Sequence, residues 1–169
     1  MANFPTCMDF LWSNEDAQRA CSIVHDPTKD YPAAQACSGI NSAFYPTQFA
    51  AIAALPQSQR APAVEEFYQK EFWNKWFQQL ASDDVAMRVF DMAVNGGPGT
   101  AVKLLQQAVN SFHVGNPLTV DGGWGPITVA AANAVNPETL VAAFQQARCT
   151  YYEAIGGPNL PQWLARAKK

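Results

Sequence analysis

The run VAMRVFDMAVNGGPGTAVKLLQQAVN, residues 85–110, leaves few options for the chain around it. An almost wholly apolar helix meets Gly96-Gly97-Pro98, and a second helix begins at once. Glycine accepts backbone angles that end a helix, and proline suits the first turn of the next. Val102, Leu105, Val109 and Phe112 then recur at core spacing. The first helix keeps four polar residues, Asp84, Arg88, Asp91 and Asn95, spaced i, i+4, i+7, i+11 and so on one face. Such a stripe on a buried helix is expected to look onto water, a partner or a groove. Downstream, DGGWGPIT (residues 121–128) reads as a tight turn, with Pro126 opening a further helix.

The remaining punctuation predicts a mainly α chain. Residues 9–24 read as a first helix, 46–55 as a short one begun by Pro46, and 63–81 as a strong one with Pro62 near its start. Ser82 caps the helix that follows, with Asp83 and Asp84 at its positive end. Helices are further expected over 100–112, 127–135 and 138–155, the last opened by Asn136-Pro137 and closed by Gly156-Gly157-Pro158. Residues 161–168 add a final turn or two. The stretch 25–38 holds two prolines and reads as loop or irregular strand. At most a small β-hairpin is expected, around residues 25–42.

The chain has 169 residues and a net charge of -3. That balance argues against a general nucleic-acid binder, which carries a basic surplus. No stretch approaches the ~20 apolar residues of a membrane span. The opening MANFPTCMDF has neither the basic nor the apolar region of a secretory signal. The four cysteines, at 7, 21, 37 and 149, form no CxxC pair, so no metal site is expected. An even count permits two disulfides. Cys21–Cys37 and Cys7–Cys149 are the favoured pairs, against four reduced core thiols.

His25 and His113 lie far apart without a nucleophile elbow, and no P-loop, HExxH or GxGxxG occurs. Carboxylates are the better candidates. Glu15 follows Leu11 and Trp12 by one helical turn, and an acid beside an apolar ring suits a general acid. Asp26 and Asp30 follow in the loop; Glu15 with either one could make the two-carboxyl arrangement of glycoside hydrolysis, against the plainer reading of solvated acids. Residues 63–81 carry Phe67, Tyr68, Phe72, Trp73, Trp76 and Phe77, more rings than one face can bury. Most are expected in the core. A surplus, with Trp73 and Tyr45 as the candidates, would line a groove and stack on sugar faces.

Five segments in order resemble the glycoside hydrolase family 108 lysozymes, N-acetylmuramidases with a peptidoglycan-binding-like C-terminal part. They are EFYQKEFW, VFDMAVNGGPGTAVKLLQQAV, VDGGWGPITVAAAN, ARCTYYEAI and LPQWLARA. The N-terminal third departs from the family. Glu15 occupies the place of the glutamate in its E-G-G motif, but Asp16-Ala17 replaces the glycines. In place of D-P-G-G-x-T-x-x-G-I, the residues before Gly39-Ile40 are Tyr31-Pro32-Ala33-Ala34-Gln35-Ala36-Cys37-Ser38. The aspartate moves to Asp30 or Asp26, and the threonine becomes Ala36.

The resemblance implies a lysozyme-like helical domain with a catalytic lobe over residues 1–97 and a helical lobe over 98–169, packed as one unit. It implies cleavage of the β-1,4 bond between N-acetylmuramic acid and N-acetylglucosamine. Glu15 would protonate the leaving oxygen, with Asp30 or Asp26 as second carboxylate. Asp91 and Asn95 would line the sugar groove, Arg88 would partner Asp84 or Asp91, and no cofactor is needed. The alternative is a non-catalytic wall-binding protein that kept the fold. The expected setting is the periplasm or cell wall, reached as a phage endolysin or as a secreted antibacterial effector. Peptidoglycan strands are the expected partner of a monomer, together with a cognate immunity protein in the effector case.

Overall fold

A computed structural model describes residues 1–113 and 115–169. Among these residues it is mainly helical, with one small antiparallel sheet. The helices are α1 (Phe4–Glu15), α2 (Pro46–Ala53), α3 (Arg60–Glu71), α4 (Lys75–Gln78), α5 (Asp83–Gly96), α6 (Pro98–Asn110), α7 (Pro126–Asn133), α8 (Pro137–Ile155) and α9 (Leu160–Ala167). The strands are β1 (Ile23–His25), β2 (Gln35–Cys37) and β3 (Ile40–Asn41), ordered β1-β2-β3. The fold is thus mainly α with a minor β element, as expected.

The chain falls into two compact units. One is Met8–Trp73; the other joins Met1–Cys7 to Asn74–Lys169. This division differs from a boundary at 97/98, and packing explains it. α5 and α6 flank that boundary, and they form the most extensive helix pair of the second unit. Gly97, at φ +88°, both ends α5 and precedes Pro98 at the start of α6, so the glycine break folds one helix back onto the next.

The first unit is built on residues 8–15 of α1, the sheet, α2 and α3. Leu11, Trp12, Ile40, Val64 and Tyr68 are buried in its core. Trp12 donates from Nε1 to Glu65 at 3.1 Å, and Arg19 lies over its ring while pairing with Asp9. Phe67 packs edge-on against Tyr45 and Tyr68, with centroids 4.9 and 5.2 Å away. Of the aromatic excess, Phe67, Tyr68 and Trp73 are buried in this unit. Strand pairing sets Ile23 opposite Cys37 and Ala36 opposite Asn41.

Two helix expectations need correction. The first helix starts at Phe4 and stops at Glu15, nine residues short of the predicted end. Asp16 stops it by accepting the backbone N–H groups of Ala20 and Cys21, at 3.1 and 2.7 Å, while Arg19 and Cys21 take left-handed φ values. The predicted helix over 63–81 is two helices. Asn74, in extended conformation, accepts the Trp76 N–H and starts α4 afresh.

The second unit confirms the capping signals. Ser82 accepts the Val85 N–H, and Asn136 accepts those of Glu138 and Thr139. All four cysteines are buried free thiols, so the expected disulfides are absent here. Burial, aided by Asp83, pushes the Cys7 thiol up to about 12. That keeps it protonated and inert.

The polar stripe of α5 turns inward at its centre, while Asp84 and Asn95 at its ends stay exposed. Asp91 exposes no surface, and Arg148 of α8 and Arg166 of α9 both donate to its carboxylate, at 2.6 and 2.7 Å. Arg88 donates to Asp84 and to the Lys169 carbonyl, and Asn95 donates to the Tyr152 hydroxyl. The stripe is a polar seam binding α5 to α8 and the C-terminus.

Candidate active site

Glu15 ends α1, where the helix hands over to the Asp16 turn. Across from it, β2 and β3 are joined by a two-residue turn, Ser38-Gly39, with φ +46° and +82°. Two positive φ angles match the twist of a tight hairpin, and glycine is the residue that takes the second without strain. Gly39 is also needed for space. A Cβ there would stand 2.5 Å from Glu15 Oε2 and 2.7 Å from the Tyr68 hydroxyl. The carboxylate of Glu15 therefore rests over the bare backbone of the turn, beside Tyr68.

Two residues hold that turn. Tyr68, from α3, donates to the Ser38 carbonyl at 2.8 Å. Ser38 Oγ donates to Asp16 Oδ2 at 3.0 Å. Burial alone raises the Asp16 carboxyl, but hydrogen bonds from Cys21, Ala20, Ser38 and Gln18 outweigh it and hold the group below its usual value. An ionised Asp16 thus latches the end of α1 to the turn that faces Glu15.

The two candidate second carboxylates differ in how they are held. Asp26 follows β1; its backbone N–H donates to Ala34. The buried Asn41 amide donates to both the Asp26 carbonyl and Asp26 Oδ2, at 2.9 and 2.8 Å, while its own oxygen accepts the Ala43 N–H. Asp30 lies exposed on the bend after it, with no side-chain partner among the described residues. Asp26 is oriented and Asp30 is not.

The sugar contacts expected from sequence fare unequally. Asp91 is corrected: a fully buried carboxylate paired with two arginines has nothing to offer a sugar. Trp73 is buried as well. Tyr45 keeps partial exposure at the start of α2; burial, then the charge of Glu71, raises its phenol. Asn95 is exposed but engaged by Tyr152.

Sequence reasoning missed Asp16, Ser38, Tyr68 and Asn41. Tyr68 and Gly39 lay inside recognisable motifs without a role attached. Asp16 read only as a departure from E-G-G. No groups of three or more His, Cys, Asp or Glu capable of holding a metal occur among the described residues.

Residues 22–97 match the family model described as Glycosyl hydrolase 108, and residues 100–162 match one described as Predicted Peptidoglycan domain. No curated protein matches by sequence. The chain is similar to the solved structure of Brucella abortus SagA, with a TM-score of 0.71 and 23% identity over 98% of this chain and 89% of that one. At that identity the likeness speaks for the fold. The two family matches, a glycosyl hydrolase 108 segment followed by a peptidoglycan domain, indicate a glycoside hydrolase that acts on peptidoglycan.

Proposed function

We propose that the chain is an N-acetylmuramidase in which Glu15 protonates the glycosidic oxygen leaving the β-1,4 bond between N-acetylmuramic acid and N-acetylglucosamine. The observation that carries this reading is the seat of Glu15, at a helix end over the Ser38-Gly39 turn and beside the Tyr68 hydroxyl. A fixed carboxyl is what general-acid catalysis requires. Asp26, oriented by Asn41, is the second carboxylate and assists the attacking water or the oxocarbenium-like transition state. Tyr45 keeps enough surface to meet a sugar ring.

The reaction suits a bacteriolytic role at the cell wall, as a monomeric endolysin or as a secreted effector with a cognate inhibitor protein. Expression directed to the periplasm tests that role by lysis. The catalytic assignment is tested by Glu15→Gln on purified sacculi. Lysis should fall at least about a hundredfold. Equal lysis by both proteins would remove Glu15 from the mechanism, and lysis by neither would leave a wall-binding role.

A further inference from the structure

A second cavity lies wholly within the helical unit, far along the sequence from Glu15. It is an open concavity of about 490 Å³ between the segment before the DGGWGPIT turn and the start of α7. Its walls mix apolar Leu118, Trp124 and Ile127 with polar residues that include Asn116, Thr119 and Asp121. Ile127, one of the lining residues, is 76% exposed and leaves its apolar side chain open to a ligand.

The carboxylate is built into this wall. Gln106, buried on α6, donates to Asp121 at 2.9 Å and to the Gly123 carbonyl, and accepts the Gly122 N–H. Asp121 Oδ1 also accepts the Gly123 N–H at 2.6 Å. These two bonds to the carboxylate converge on Oδ1. The Gln106 bond, then the Gly123 N–H and the charge of Lys103 hold the carboxyl below its usual value. Lys103 is not among the residues lining the cavity. The indole N–H of Trp124 is buried and lacks an acceptor among the described residues.

One ionised carboxylate at the end of aliphatic walls matches a cation on an alkyl stem. A sugar would call for open aromatic faces, and the one aromatic ring in this wall is packed edge-on against Phe77, 5.4 Å away. We infer that this cavity binds the stem peptide of peptidoglycan, taking the alkylammonium side chain of its diamino acid, with Asp121 as counter-ion and Ile127 and Leu118 along the methylenes. The inference rests on peptidoglycan being the substrate and assigns its peptide part to the second unit. The glycan stays with Glu15.

Calorimetric titration of the full chain tests it, using a soluble L-alanyl-D-isoglutamyl-diamino acid-D-alanine peptide with its side-chain amine free or N-acetylated. The free amine should bind about tenfold tighter than the acetylated form. Asp121→Asn should abolish that preference. Ile127→Ser, at an exposed position, should weaken both peptides and keep it. Equal binding of the two peptides, no binding of either, or a preference that survives in Asp121→Asn would overturn the inference. The peptide holds no glycosidic bond, so failure here leaves hydrolysis at Glu15 standing. Loss of hydrolysis likewise leaves this titration unaffected.

Discussion

Glu15 and Gly39 share one small space: the carboxylate of the first lies where a side chain on the second would have to be. The geometry ties the proposed acid to a hairpin turn some two dozen residues away in sequence. It also explains why the turn must be tight and bare. Tyr68 and Asp16 then fix the turn from either side.

Gly39→Ala is expected to damage activity beyond its effect on stability. The backbone at φ +82° costs a non-glycine residue about 1–2 kcal/mol. The added Cβ must also push the Glu15 carboxylate aside, and a displacement near 1 Å is worth about a hundredfold in rate. Thermal unfolding and turnover on purified sacculi separate the two effects. A variant with lowered stability but full turnover would contradict the seat described for Glu15.

Asp16 should make stability depend on acid pH. Its carboxyl is held below the ordinary 3.8, so the folded state favours its charged form. That contribution is complete above the unfolded pKa and is lost as the pH falls through the folded one. In Asp16→Asn it is missing throughout. Wild type should therefore be the more stable protein at pH 7, and the gap should shrink as the pH drops below about 4. Urea titrations across that range measure the gap; a constant gap would rule out an ionised latch.

The two aspartates after β1 should separate by mutation. Asp26→Asn is expected to lower turnover by about a hundredfold, as loss of a positioned acid or base does. Asp30→Asn, at an exposed bend, should stay within about twofold. The reverse order in steady-state rates would move the second role to Asp30.

Asp91→Ala should unfold the helical unit rather than weaken substrate binding. Removing one partner from a buried ion pair strands the other, and here Arg148 has no exposed side-chain surface. The expected loss is about 3–5 kcal/mol in denaturant unfolding. A raised KM at unchanged stability would restore Asp91 as a sugar contact.

Most of the helical scaffold was legible because its signals are local. Ser82, Asn136 and Pro137 each cap or open a helix through neighbours a few residues away. Gly97 and Pro98 act the same way. The early stop of α1 was not legible, since Leu11 and Trp12 continue a helical pattern into residues that Asp16 diverts by side-chain bonds. Residues 63–81 misled for a related reason: their apolar spacing runs unbroken while Asn74 restarts the backbone. The α5 stripe gave the right face but not its environment. Two arginines more than fifty residues downstream bury Asp91 at the centre of that face.

The site was legible in part. Glu15 stood out by its place after Leu11 and Trp12 and by family resemblance. Its supports did not, because Ser38, Tyr68 and Asn41 act through contacts between distant segments. A free aspartate and an oriented one look alike in sequence, so Asp26 and Asp30 separate only through Asn41.

Mass spectrometry of peptidoglycan digested by the purified chain tests the central claim most directly. Hydrolysis with Glu15 as the acid predicts new reducing N-acetylmuramic acid ends, absent from the Glu15→Gln digest. Reducing N-acetylglucosamine ends, anhydro-muramic ends or cleaved stem peptides from the wild-type protein would contradict it.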